Sequence, residues 1–177
     1  GKEIGQHIGG FTPFNFEVTN ALKNGENSLV VKVDNKRKLE AVPTINTDWW
    51  NYGGITREVT LIETPATFVR DYYVQLKKSD KNLIQGWIQL DGKQLAKSLK
   101  LEIPEQKIVQ RLTPDANGYA AFEIKAKPLL WSPENPKLYK VNITVDNETL
   151  TDEIGFRTIE TKGTQILLNG KPVFLRG

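Results

Sequence analysis

The chain has 177 residues, 38% of them hydrophobic and 25% charged, which is typical of a folded protein with one or two domains. Lys and Arg number 24 against 21 Asp and Glu, and the net charge of +3 is scattered along the chain, so no nucleic-acid partner is expected. The absence of Cys excludes a disulfide framework, a thiolate zinc site and a cysteine nucleophile, and no apolar stretch reaches the roughly 18 residues of a membrane helix, so no membrane partner is expected.

The first third of the chain has a β pattern with little helix. Strands are predicted at Ser28–Asp34 and Thr56–Thr64, where β-branched and apolar residues run between turn-forming residues. The segment Val18–Gly25 has helix-like spacing but is too short for more than one turn. Pro65 then interrupts the pattern, and because proline cannot donate a ladder hydrogen bond, it indicates a domain boundary.

A second series of strands follows, with a spacing that favours an immunoglobulin-like sandwich. Turn residues such as Asp91-Gly92 separate the strands. The segment Tyr139–Val145 alternates cleanly, which predicts four apolar side chains on one face and polar ones on the other. The predicted strands are Thr67–Leu76, Asn82–Leu90, Ser98–Ile103, Gly118–Ala126, Lys137–Asp146 and Glu148–Arg157.

The last segment predicts a β-hairpin. Gln165–Leu168 and Pro172–Leu175 flank Asn169-Gly170, the pair preferred in a type I′ turn, where both central residues need positive φ. The apolar, strand-like residues after the turn, together with a chain that contains no Met, predict a piece of a longer protein from which the next domain has been cut.

The segment Asn46–Ile55 carries residue types that bind sugars, because it places a carboxylate, amides, two indoles and a phenol in one loop. Aromatic faces cover the C–H face of a pyranose, while carboxylate and amide groups bind its hydroxyls. The same residues also suit a loop in which the Trp pair closes the end of a sandwich and Asp48 caps a turn. On composition alone, both interpretations stay open.

The sequence shows no complete catalytic pair. Glycoside hydrolysis needs two carboxyl groups roughly 5 to 9.5 Å apart, and Asp48 has no acidic partner in its own loop. Glu58 is expected to point to solvent, and His7 is expected to have a structural or surface role. Because no phosphate loop, paired-His motif or calcium loop is present, we expect neither a metal nor a cofactor.

Four segments, in order, carry a resemblance to a known family: Gly9–Phe14, Asp48–Val59, Leu130–Tyr139 and Gly155–Gly177. In these segments the chain resembles the amino-terminal portion of glycoside hydrolase family two, the group of β-galactosidases, β-glucuronidases and β-mannosidases. The match spans nearly the whole chain. The form of the loop at Asn51–Ile55 is nearer to that of the glucuronidases.

The resemblance implies an all-β architecture with three parts. Residues 1–65 would be the carboxyl-terminal part of a partial jelly-roll, galactose-binding-like sandwich, whose core should be incomplete. Residues 66–156 would be an immunoglobulin-like β-sandwich. Residues 157–177 would be the hairpin that leads into a missing (β/α)₈ barrel.

The resemblance also implies the roles of individual residues. Members retain anomeric configuration with two barrel Glu residues, both of which would lie after Gly177, so this chain would carry no catalytic residue. The Asp before the aromatic pair would bind hydroxyls of the sugar being cleaved, and that position is Asp48. Trp49, Trp50 and Asn51 would shape the same rim as substrate-binding residues.

Three hypotheses follow. The first is a non-catalytic region of a retaining β-glycosidase, a β-galactosidase before a β-glucuronidase, whose partners are a β-linked glycoside and the protein's own barrel. The second is a free-standing carbohydrate-binding β-sandwich protein, and the third is a structural or adhesive sandwich pair in which Asp48 is buried. A homo-oligomeric parent and a periplasmic, secreted or cytoplasmic location are all compatible with the sequence.

Overall fold

The computed structural model describes residues 1–46, 48, 50 and 52–175. The chain divides into two compact units, Gly1–Leu61 and Ile62–Gly177. The described structure is all-β, as predicted, and its helical content is limited to two short 3₁₀ turns, Thr19–Ala21 and Pro104–Gln106. In the described part of the chain, no helix has the length and hydropathy to cross a bilayer.

The described residues of the second unit form ten strands. In chain order they are β1 (Thr67–Lys77), β2 (Asp80–Gly92), β3 (Leu99–Ile103), β4 (Ile108–Leu112), β5 (Tyr119–Lys125), β6 (Tyr139–Val145), β7 (Glu148–Ile154), β8 (Ile159–Lys162), β9 (Gln165–Leu168) and β10 (Lys171–Pro172). All six strands predicted after Pro65 are present, with small shifts at their ends.

Two antiparallel sheets form an immunoglobulin-like sandwich in the second unit. One sheet has the order β1-β2-β5 and the other the order β4-β3-β6-β7. β1 and β7 are edge strands of different sheets, and Tyr72 on β1 reaches Asp152 on β7. This sandwich holds the buried apolar core of the described chain.

The core is built by the inward faces of both sheets. On β6, Tyr139, Val141, Ile143 and Val145 are all at most 3% exposed, which confirms the predicted alternation. Phe156, just after β7, is completely buried and its ring lies 5.5 Å from that of Tyr139. The other fully buried apolar side chains with no exposure are Ile84, Ile88, Leu101 and Ile103.

The hairpin predicted at the end of the chain is present, but it belongs to a larger sheet. β9 and β10 pair around Asn169 and Gly170, whose φ angles of 54° and 81° fit the predicted turn. β8 pairs with the other side of β9, so the sheet has the order β10-β9-β8. β8 is not among the strands predicted from the sequence.

The first unit differs from the prediction in its local structure. The strands predicted at Ser28–Asp34 and Thr56–Thr64 form no β-ladder among the residues that the structure describes in this unit, so this part of the prediction was wrong. A strand needs a hydrogen-bonded neighbour, and alternation alone does not supply one. Their apolar side chains remain accessible: Val30 is 90% and Leu61 72% exposed. The single helical turn within Val18–Gly25 is confirmed.

Candidate functional site

Two hydrogen bonds hold the segment that leads into the loop carrying Asp48. The backbone N–H of Lys36 donates to the Asp34 carboxylate at 3.0 Å, which forms a turn before the loop. Within the loop, the Arg37 guanidinium donates to the carbonyl oxygen of Ile45 at 3.2 Å. Asp48 therefore lies in a long loop that follows the turn at Asp34–Lys36.

The return side of the loop depends on a glycine. The Asn35 side chain packs on the backbone of Gly53, where an added Cβ would lie 2.5 Å from Asn35 Nδ2. A larger residue at position 53 would therefore displace the Asn35 side chain from this position. This contact ties the exit of the loop to the segment just before its entry.

The described side chains of this loop face solvent. Asp48 is exposed, and Trp50 is 85% and Tyr52 79% exposed. Exposed aromatics beside a carboxylate suit a saccharide-binding loop, and the exposure of Trp50 is not that of a residue closing the end of a sandwich. Two of the predicted rim residues, Trp49 and Asn51, lie outside the described residues.

The other predicted polar groups do not form a catalytic centre with Asp48. Glu58 is exposed, as expected. Among the described residues, no group of three or more His, Asp or Glu side chains could hold a metal ion. The described part of the first unit thus exposes a carboxylate and aromatic side chains in one loop.

The histidine has local partners in the first unit. The His7 ring stacks on Phe14 with centroids 4.5 Å apart and planes inclined by 17°. Its Nε2 lies 3.2 Å from the Thr12 hydroxyl. These contacts give His7 a packing role in the amino-terminal segment.

Trp131 packs inside the second unit. Its ring lies against Gly155, where an added Cβ would come within 2.8 Å of Trp131 Cδ1. The Arg157 guanidinium sits over the indole at 5.4 Å from the ring centroid. The Trp131 indole is therefore in contact with two residues of the segment that follows β7, Gly155 and Arg157.

Sequence reasoning missed a polar contact at the seam between β1 and β7. The Tyr72 hydroxyl donates to Asp152 Oδ2 at 2.7 Å. Burial, this hydrogen bond and the negative charges of Asp152 and Asp71 together raise the pKa of Tyr72 to about 12. The phenol therefore stays protonated and bridges the two sheets. No local signal could have revealed it, because the partners are 80 positions apart.

The fold defines the class of the protein: an all-β chain built on an immunoglobulin-like sandwich and preceded by a unit with an exposed acidic and aromatic loop. Residues 1–65 match the sugar binding domain of Glycosyl hydrolases family 2. Residues 67–157 match the domain described as Glycosyl hydrolases family 2. The chain belongs to this family.

Individual relatives agree with the family assignment. The beta-galactosidase of Thermoanaerobacter pseudethanolicus is 30% identical over 206 residues, an alignment that covers 100% of this chain and 26% of that protein. Beta-glucuronidase 3 of Bacteroides uniformis has a similar structure, with a TM-score of 0.60 and 29% identity over 82% of this chain and 20% of that one. A beta-galacturonidase of Eisenbergiella tayi, solved bound to galacturonate, gives a TM-score of 0.58 and 25% identity over 79% and 27%. The chain spans between 16% and 26% of the length of the curated relatives that it matches.

Proposed function

We propose that this chain is the non-catalytic amino-terminal region of a retaining β-glycosidase that hydrolyses terminal β-glycosides. The first substrate class is the β-galactosides and the second is the β-glucuronides. The match of both family domains, in order and over nearly the whole chain, carries this proposal. The names of the relatives, which include a beta-galactosidase and a beta-glucuronidase, support the choice of substrates.

Within this proposal the chain has three parts. Residues 1–65 are the carboxyl-terminal part of the sugar-binding domain, residues 66–156 are the immunoglobulin-like domain, and residues 157–177 lead into a catalytic (β/α)₈ barrel. The barrel supplies both catalytic carboxylates and is the main partner of this region. The chain itself needs no metal and no cofactor for its role.

Asp48 is the residue that this region contributes to substrate binding. Its exposure leaves the carboxylate accessible to a ligand, and its loop carries the exposed aromatics Trp50 and Tyr52. A carboxylate that accepts hydrogen bonds from sugar hydroxyls in a dry pocket stabilises the bound sugar by about 1.5 to 3 kcal/mol. Trp49, Trp50 and Asn51 complete the rim of the same subsite.

The test is Asp48→Ala in the intact enzyme. Loss of a charge-assisted hydrogen bond predicts a fall of about 10- to 150-fold in kcat/KM for aryl β-galactosides or β-glucuronides. The melting temperature should not change, because Asp48 is exposed. Asp48→Asn, which keeps the size of the side chain and removes its charge, should recover part of the loss.

Glu40→Ala is the matched control, because Glu40 is an exposed carboxylate in the same unit. It should leave kcat/KM unchanged. A lower melting temperature with unchanged kinetics in Asp48→Ala would show that Asp48 is structural. Binding of glycosides by a protein without any hydrolytic activity would instead favour a free-standing carbohydrate-binding protein.

A further inference from the structure

Three aromatic side chains form a row on the outward face of the β1-β2-β5 sheet. Tyr73 on β1 is the cross-strand partner of Trp87 on β2. Tyr119 on β5 pairs with Gln89, which places it one diagonal step from Trp87. The Trp87 and Tyr119 ring centroids are 6.1 Å apart and their planes differ by 25°. We call Tyr73, Trp87 and Tyr119 the aromatic row.

The aromatic row is accessible within the second unit. Tyr73 is 46% and Tyr119 40% exposed, and Trp87 is half-buried. Ala121, the partner of Trp87 on β5, is too small to cover the indole. Single exposed aromatics are ordinary on protein surfaces, but three on adjacent strands of one sheet face form a continuous apolar surface that suits a ligand.

The polar neighbours of the aromatic row are largely neutral or paired. Gln85 and Gln89 alternate with Trp87 along β2 and lie on the same face. The Gln89 amide nitrogen donates to the carbonyl oxygens of Leu90 and Asn117 at 2.8 and 2.7 Å, so Gln85 is the amide that this face offers to a ligand. Lys77 and Glu123 form an ion pair beside them. Asp71, opposite Gln89, adds an acceptor at the β1 margin. Lys125, the partner of Leu83 at the far end of β5, adds a cation to the same face. The face therefore offers aromatic surface with amide and carboxylate partners and no cluster of cations.

We propose that the aromatic row is a surface binding site for a neutral β-linked glycan chain. A sugar ring has an apolar C–H face and a rim of hydroxyls, which match the rings and the amides respectively. A nucleic acid would require clustered cations, which this face does not provide. An anionic polysaccharide would meet Asp71 without compensation. This site is distinct from the Asp48 loop. It holds the polymer while the catalytic barrel of the proposed enzyme hydrolyses its terminal sugars.

The choice of a glycan as occupant rests on the proposed function, but binding can be measured without hydrolysis. The experiment is affinity electrophoresis of the intact protein in gels that contain soluble β-galactan or mixed-linkage β-glucan, with polygalacturonate as the anionic comparison. We expect the neutral polymers to retard the protein. Trp87→Ala should weaken that binding by about tenfold or more, because the loss of one aromatic contact is of that order.

Two further variants separate a binding defect from a folding defect. The double variant Tyr73→Ala/Tyr119→Ala keeps the half-buried indole and removes the more exposed rings, so it should also lose retardation while keeping the β-rich circular dichroism spectrum of the folded protein. Val109→Ala is the control, because Val109 is 66% exposed and lies on the other sheet. It should behave like the wild type.

The outcomes separate the two proposals. Asp48→Ala should still be retarded, since its loop is not part of the aromatic row. Absence of retardation by both neutral polymers, retardation by polygalacturonate alone, or retardation that survives both row variants would overturn the inference. An intact protein that hydrolyses no glycoside but shows row-dependent retardation would overturn the proposed function and leave the surface site in place.

Discussion

At the scale of single residues, Tyr72 shows how a pair of distant positions stabilises the sandwich. Its hydroxyl and the Asp152 carboxylate join β1 to β7, the edge strands of different sheets. The protonated phenol is the form that donates this bond, and nearby negative charge opposes its ionisation. Because of this contact, the stability of the second unit should vary with pH in the alkaline range.

The sign of this dependence follows from the raised pKa. The pKa of Tyr72 is about 12 in the folded protein against 10.0 for the free side chain, so the folded state holds the proton more tightly. Its stabilising contribution is fully present below pH 10 and is lost as the pH rises towards 12. We predict that the urea midpoint of Tyr72→Phe falls less over this interval than that of the wild type.

Asp152→Asn gives an independent check of the cause. Asn keeps an oxygen that can accept from the Tyr72 hydroxyl but carries no negative charge, so the pKa of Tyr72 should be raised less and the alkaline loss of stability should also shrink. Equal falls in the wild type and in both variants would contradict the assigned role of this pair.

At the same scale, the chemistry of the Asp48 loop could be predicted from residue types, because carboxylate, amide and aromatic groups are themselves the signal. The exposure of Asp48, Trp50 and Tyr52 could not be predicted. Exposure depends on what packs against a loop, and the segment between Asn46 and Ile55 contains no periodicity that reports it.

At the scale of elements, the strands that alternate cleanly were predicted and β4 was not. β6 needs only its own pattern of Tyr139, Val141, Ile143 and Val145. β4 begins after a tight turn in which Lys107 adopts φ 54°, a conformation for which Gly or Asn is the usual signal. Because Lys is not a usual residue for this conformation, neither the turn nor the strand that follows it could be predicted from the sequence.

The hairpin turn is fixed to the sandwich by one side chain. Asn169 Oδ1 accepts a hydrogen bond from the backbone N–H of Thr158 at 3.0 Å, and its Nδ2 donates to the carbonyl oxygen of Trp131 at 2.9 Å. The Lys81 ammonium donates to the Asn169 carbonyl oxygen at 2.9 Å. Asn169 therefore has two roles: it adopts the positive φ of the turn and ties that turn to two other segments.

Two substitutions separate these roles. Asn169→Ala loses both side-chain hydrogen bonds and places a Cβ in the left-handed region, so it should lower the free energy of unfolding of the second unit by about 2 to 4 kcal/mol. Asn169→Gly loses the same hydrogen bonds without the conformational cost. It should therefore be less destabilising than Asn169→Ala by about 1 kcal/mol. Urea denaturation measures both, and equal losses would show that backbone strain has no part in the effect.

At the scale of the whole molecule, burial is divided unequally between the two units. Every buried apolar side chain of the described chain lies in the second unit, from Val74 to Phe156. In the described part of Gly1–Leu61 no side chain is buried. Because apolar burial is the dominant favourable contribution to folding, the two units should differ sharply in autonomous stability.

This difference predicts the behaviour of the separated units. Residues 62–177 expressed alone should give a β-rich circular dichroism spectrum and a cooperative thermal transition, whereas residues 1–61 alone should give neither. In residues 62–177, Phe156→Ala should cost about 3 to 5 kcal/mol, because the ring is fully buried. Cooperative melting of residues 1–61 would contradict this division.

The way in which Asn169 is held has a mechanical consequence. Its three attachments converge on one residue, so tilting the turn would strain the bonds to Thr158, Trp131 and Lys81 together. Because these hydrogen bonds form or break together, the turn is either bound to the sandwich or released from it. The sandwich therefore sets the direction of any polypeptide that continues beyond the turn.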